Sequence, residues 1–231
     1  MPGDQLDLPI PSEPRSALPA RIEPMQPSEG VSPFDDARYL FEPWWPGVRA
    51  QAWVEGRSLT RLRAEGLADA LDAFAELADE LPERLVEDGV VLDGWLLTLD
   101  EGGWLDTSLL HRRLSGSRRA GRPAYVATDL LWSGERSWLR RPFGARRAHL
   151  ESVLLDGDRC VVSHAVRGEG TLLAEALGRF GLVSISARRL DARHRAGPAG
   201  DAWQRIPITP AAVPQRPRLS LIQRLPFPEP G

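Results

Sequence analysis

The chain has 231 residues, 42 % of them hydrophobic, which is enough for one well-buried domain of mixed structure and too little for two catalytic modules with linkers. A formal charge of -3 conceals a split, because residues 1–110 carry 22 acids against 8 arginines and residues 111–231 carry 10 acids against 21 arginines. All 29 Lys/Arg positions are arginine and Cys160 is the sole cysteine, so lysine chemistry and a disulfide-stapled secreted domain are excluded.

Proline punctuates both ends, with eight of 21 before residue 34 and seven over 207–231. Residues 1–34 therefore read as an extended N-terminal segment, 35–207 as the folded domain and 208–231 as a Pro-rich C-terminal tail. Within the domain a strand over 39–45 leads to a hairpin of 48–54 and 58–63 across Glu55-Gly56-Arg57. Apolar residues at 67, 70, 71, 74, 77, 78 and 81 predict a helix over 67–81. Strands at 90–92 and 96–99, a short helix at 106–114, a strand at 124–131, a helix at 145–155, a strand at 159–166 and a helix at 170–180 follow. Strands at 182–187 and 203–208 complete a set that does not alternate strictly, so the fold class is α+β.

Basic residues are densest over 112–147, where ten arginines face only Asp129 and Glu135. Arg112, Arg113, Arg118, Arg119, Arg140 and Arg141 are the candidate phosphate contacts of a nucleic-acid face on this half. The histidines, His111, His149, His164 and His194, are dispersed without an i, i+4 pair or partner cysteines, so no metal site is expected. Arg167-Gly168-Glu169-Gly170-Thr171 lacks the third glycine and the Lys-Ser/Thr of a phosphate loop and reads as a strand-to-helix turn. With no apolar run near the roughly 20 residues of a membrane span, no membrane association is expected and the cytoplasm is the expected compartment.

Four segments, in order, carry a resemblance: Phe41-Glu42-Pro43-Trp44-Trp45-Pro46-Gly47-Val48-Arg49, Val90-Val91-Leu92-Asp93-Gly94-Trp95-Leu96, Tyr125-Val126-Ala127-Thr128-Asp129-Leu130-Leu131 and Ala187-Arg188-Arg189-Leu190-Asp191. Between the last two lies Arg141-Pro142-Phe143 with Arg146-Arg147 and Leu150-Glu151. Over roughly 22–207 the chain resembles the adenylation domain of ATP-dependent DNA ligases, especially the bacterial ligases of end joining. The resemblance implies a nucleotidyltransferase domain of the DNA-ligase and mRNA-capping type, with antiparallel-rich sheets flanked by helices. That family attacks the α-phosphate of ATP with the lysine of a Glu-x-Lys-x-Asp-Gly-x-Arg motif, with Mg²⁺ present, and passes AMP to a DNA 5′-phosphate.

Matched to the family, Trp44 stands at the lysine and Pro46 at the aspartate, while Arg49 is kept. Trp95 replaces a glutamate, Thr128 an adenine-stacking aromatic, Val183 a metal-supporting glutamate and Arg188 a phosphate-binding lysine. The family's final Trp-x-Lys-x-Lys reads Trp203-Gln204-Arg205-Ile206-Pro207. An indole lacks a free lone pair and a guanidinium keeps its proton, so neither replaces the nucleophile. Active ligases also carry a following OB-fold of about one hundred residues, and with 24 residues after the last motif none is expected here.

These departures lead to the expectation of a catalytically inactive relative that acts as a DNA-binding or repair-complex module, with duplex or nicked DNA as the partner of the arginine-rich half, a DNA-repair protein as a further partner and no cofactor. Residual adenylyl transfer or nucleotide binding, and a protein-interaction scaffold, are the alternatives. Trp45, Trp53, Trp132 and Trp203 fit strand positions in the core, whereas Trp44 and Trp95 are expected to fill the nucleotide cavity and close it.

Overall fold

The computed structural model describes residues 17–67 and 69–223. In chain order its strands and helices are β1 (Met25–Gln26), β2 (Ser28–Glu29), β3 (Asp35–Pro43), β4 (Val48–Glu55), β5 (Ser58–Ala64), α1 (Leu77–Arg84), β6 (Val90–Leu99), α2 (Thr107–Leu114), β7 (Arg122–Ser133), β8 (Arg136–Ser137), α3 (Phe143–Val153), β9 (Cys160–Val162), β10 (Val166–Glu169), α4 (Gly170–Arg179), β11 (Ser184–Arg189), β12 (Gly197–Pro198), β13 (Trp203–Pro207) and α5 (Leu219–Ile222). One sheet runs β5-β4-β6-β7-β8 with β9 parallel to β7, and a second runs β10-β3-β11-β13-β2.

The first sheet is built on β6, whose ten residues are all buried. Val90, Leu92 and Leu96 point with Ala50, Ala52, Val54, Tyr125 and Leu130 into a core closed by Leu77 and Leu81 of α1 and by Leu150 and Val153 of α3. Alternation sends Val91, Asp93 and Trp95 to the other face, beside Arg49 and Trp53 of β4. The expected break between strands 90–92 and 96–99 does not occur. Gly94 lies against the backbone of Val126 and Ala127, and a bulge beside it keeps the pairing with β7 continuous.

In the second sheet Phe41, Ile185, Ala187 and Ile206 form an apolar face covered by Leu173, Ala174 and Leu177 of α4. Register places Glu42 opposite Ser186, Ser186 opposite Arg205 and Arg188 opposite Trp203, so these polar side chains share the opposite face. That face looks across a cleft at the polar face of the first sheet, and an ion pair between Arg188 and Asp129 bridges the two.

The helix expected over 67–81 is shorter. Leu67 pairs with Ala64, the Ala70 amide donates to Leu62 O, and a 3₁₀ turn over Leu71–Phe74 precedes α1. The apolar period is real, since Ala70, Phe74, Leu77 and Leu81 are all buried, but the first half of the segment is still tied to the edge of β5. The expected single strand over 159–166 is likewise two, β9 and β10, which belong to different sheets. Of the Pro-rich segments, residues 1–16 and 224–231 lie outside the described residues. Within the rest, β1 pairs in parallel with β12, β2 pairs with β13, and Leu219 and Ile222 are buried.

Candidate functional site

The cleft between the sheets is floored by buried ion pairs. Asp129 accepts from Arg146 at 2.7 Å and from Arg188 at 3.1 Å, with all three side chains almost fully buried. Burial opposes ionisation of Asp129, but the Arg146 and Arg188 guanidiniums outweigh it and hold its carboxyl below the ordinary range. Arg147 donates to Glu42 Oε1 at 2.6 Å, while Glu42 Oε2 is buried with no hydrogen-bond partner among the described residues. Burial therefore dominates and raises the Glu42 carboxyl, with Arg147 offsetting only part of the effect. Arg49 pairs with Asp93 through a two-pronged contact and also donates to Met25 O.

Above this floor stands a stack of indoles and guanidiniums. Trp44 meets Trp95 edge-on, with ring centroids 4.8 Å apart and planes at 70°. Arg205 lies 5.0 Å over Trp44, and Trp203 has Arg49 at 4.5 Å and Arg188 at 4.1 Å from its ring centroid. Trp203 is fixed by Nε1 donating to Ser186 Oγ at 2.9 Å, and Trp45 by Nε1 donating to Ser163 Oγ at 3.0 Å. Beside the stack a cavity of about 520 Å³ remains, with Trp44, Arg49, Gln51, Arg63, Trp95 and Arg205 in its lining and residues 22–29 contributing one wall. The two tryptophans therefore do not close the cavity as expected. They form one side of it, because Trp44 leans on Trp95 and leaves the space over Gln51 and Arg63 open.

No family model matches the chain. It is 32 % identical over 189 residues to DNA ligase C1 of Mycolicibacterium smegmatis, covering 76 % of this chain and 54 % of that protein. It is 29 % identical over 195 residues to the multifunctional non-homologous end joining protein LigD of the same organism, covering 82 % of this chain and 24 % of that protein. The structure of mycobacterial DNA ligase D complexed with ATP and MES superposes with a TM-score of 0.68 at 25 % identity, over 80 % of this chain and 60 % of that one. The chain is homologous to these DNA ligases. It spans about half or less of the length of these two curated relatives. Its fold is that of the nucleotidyltransferase domain of ATP-dependent DNA ligases, as the resemblance implied, and it is of the expected α+β class.

In this ligase homologue the structure gathers Trp44, Arg49, Trp95 and Arg205 around one cavity. Arg188 sits behind them in the Asp129 network. The other matched positions are elsewhere: Thr128 is buried and donates to Asp93 O at 3.3 Å, Val183 is 56 % exposed, and Pro46 and Pro207 are not in the lining. Among the described residues no group of three or more His, Cys, Asp or Glu side chains is arranged to hold a metal ion, and no helix is long and apolar enough to cross a membrane.

The arginine-rich stretch divides. Arg113 is 1 % exposed and is spent inside, donating to Glu76 at 2.9 Å and to the carbonyls of Ala73, Ala120 and Gly121, so it is withdrawn as a phosphate contact. Arg112, Arg118, Arg119, Arg140 and Arg141 are exposed, with Arg118 paired to Asp72 at 2.9 Å. The first three lie before β7, and the last two follow β8 near the other end of that strand, since the Trp138 amide donates to Leu131 O.

For the site, Asp129, Arg146 and Arg147 enter the sequence reading only inside the matched segments and Gln51 and Arg63 not at all, although Gln51, Arg63, Arg146 and Arg147 each carry a signal. Gln51 interrupts an otherwise apolar run in β4 at two residues from Arg49, and pairing places Arg63 opposite it. On α3, Phe143, Arg146, Arg147 and Leu150 follow the i, i+3, i+4, i+7 stripe of a buried helix face, so the two arginines occupy core positions.

Proposed function

We propose that the chain is a catalytically inactive homologue of the ligase adenylation domain that works as a DNA-binding module or as part of a DNA-repair complex. What carries this reading is Trp44, which the resemblance matches to the nucleophilic lysine and which stands between Arg205 and Trp95 in a sequence without a single lysine. An indole nitrogen delocalises its lone pair, and the neighbouring guanidiniums remain protonated, so no group at this place can form the phosphoramide bond to AMP. Incubation with ATP and Mg²⁺ followed by intact-mass measurement is expected to give no adenylyl adduct. An adduct stable to denaturation would overturn the reading. Fluorescence anisotropy with nicked and intact duplex then tests the DNA-binding half, with a preference for the nick as the expected result.

One observation favours a second reading, in which nucleotide binding persists without chemistry. Gln51 is 6 % exposed, its Nε2 has no hydrogen-bond partner among the described residues, and it lines the cavity beside Arg63 and Arg205. A calorimetric ATP titration showing sub-millimolar affinity without an adduct would select that reading over an empty site.

A further inference from the structure

Two loops far apart in sequence are zipped into one surface. The loop after β8 and the loop after β11 are joined by the His194 amide donating to Leu139 O at 3.0 Å, the Phe143 amide to Ala192 O at 2.7 Å and the Gly144 amide to Leu190 O at 2.8 Å. From below, the buried Arg146 guanidinium donates to Arg141 O at 2.8 Å and to Ala192 O at 3.3 Å while it is held by Asp129. The backbone of the surface is thus fixed by hydrogen bonds that include one buried, charge-compensated arginine.

Four arginines project from it: Arg140, Arg141, Arg193 and Arg195 are all exposed. Some exposed arginines elsewhere are neutralised locally, as in Arg38–Asp36, Arg118–Asp72 and Arg216–Asp100, whereas Arg112 and Arg119 have no carboxylate partner among the described residues and serve as the comparison pair. Here the side chains of Arg140, Arg141 and Arg193 have no partner among the described residues, and Arg195 donates only to the carbonyl of Pro198. The neighbouring carboxylates Asp191 and Glu23 are taken by Arg189 and Arg21. Among the described residues, none of the exposed large apolar side chains, such as Val31, Val183 or Val213, belongs to these loops. A patch of guanidiniums without an apolar centre lacks what a protein interface buries, whereas contacts to successive phosphates require no such centre.

We infer that Arg140, Arg141, Arg193 and Arg195 form a preorganised phosphate-backbone contact for duplex DNA. This rests on the DNA-binding reading above and adds Arg193 and Arg195, which the sequence does not place near Arg140. The test measures binding of a labelled intact duplex, and of poly-glutamate, over a salt series for the full chain and for three double variants: Arg140→Ala/Arg141→Ala, Arg193→Ala/Arg195→Ala and Arg112→Ala/Arg119→Ala. Each patch pair is expected to reduce the slope of log affinity against log salt by about 2, roughly 0.9 for each phosphate that is no longer neutralised. Arg193→Lys/Arg195→Lys keeps the charge and is expected to keep the slope, which separates loss of charge from loss of fold. Duplex binding whose slope falls only with the Arg112/Arg119 pair would overturn the patch and leave the DNA-binding reading standing. No duplex binding by the parent chain would remove both. Poly-glutamate binding that depends on the patch more steeply than duplex binding would overturn the inference in favour of an acidic protein partner.

Discussion

Asp129 neutralises two guanidiniums at once, Arg146 from α3 and Arg188 from β11, and so ties a helix and both sheets to a single carboxylate. Removing it leaves two buried cations uncompensated, and breaking a buried pair in this way costs about 3–5 kcal/mol. Urea denaturation of Asp129→Ala is expected to show a loss of that order with an unchanged m-value. The pH dependence has a definite sign. The folded carboxyl lies below its ordinary value, so its stabilisation is complete above about pH 4, the unfolded range, and is lost as pH falls through the folded value. Glu42 works the other way: its folded carboxyl is raised by burial, so the native state holds the proton longer and stability declines as pH rises through that raised value. Asp129→Asn should flatten the acid side of the stability profile, and Glu42→Gln should gain on the parent as pH rises from about 4 toward neutrality. If both variants kept the parent's profile, these carboxylates would not be the titrating groups.

At the scale of elements, the antiparallel pairing of β6 with β7 depends on Gly94. A Cβ at that position would meet Val126 O and the Ala127 Cα, which are backbone atoms of β7 and cannot rotate away. Gly94→Ala is therefore expected to cost about 1–3 kcal/mol, the range for overpacking that forces a backbone shift. A midpoint unchanged in denaturant would mean that β7 yields at the bulge instead. The same place shows what sequence patterning could and could not reveal. Apolar runs located β6, β7 and α4, and the family resemblance, not residue patterning, located Trp44, Arg49, Trp95 and Arg205. Asp93-Gly94 looked like a break because its two causes for staying in the strand, the Arg49 ion pair and the close approach of β7, are tertiary. Arg113 looked like a surface charge for a similar reason, although its position three residues after Leu110 already placed it on the buried stripe of α2. The floor of the site was legible only in that form: Arg146 and Arg147 occupy positions where periodicity demands apolar residues, but their carboxylate partners Asp129 and Glu42 come from strands 17 and 105 residues away.

At the scale of the whole molecule, the segment before β3 is part of the site's architecture. Ile22 and Met25 are 5 % and 3 % exposed, and Met25 packs with Ala199 and Trp203 beneath the edge of Trp44. Its carbonyl receives the Arg49 guanidinium, and a few residues on the Gly30 amide donates to Arg205 O at 2.7 Å, so two of the three arginines of the cavity wall, Arg49 and Arg205, are tied to this strap. Met25→Ala removes the apolar anchor but leaves the backbone hydrogen bonds, and truncation of a buried methionine costs about 2–5 kcal/mol. The loss should be local as well as global, because the void opens against Trp203 and Trp44. Tryptophan emission is expected to shift to the red and acrylamide quenching to rise, while Val31→Ser, at a position 92 % exposed, should stay within about 0.5 kcal/mol of the parent. A Met25→Ala chain that is destabilised with unchanged emission and quenching would place the void away from the stacked indoles. The strap would then serve the core alone and not the cavity.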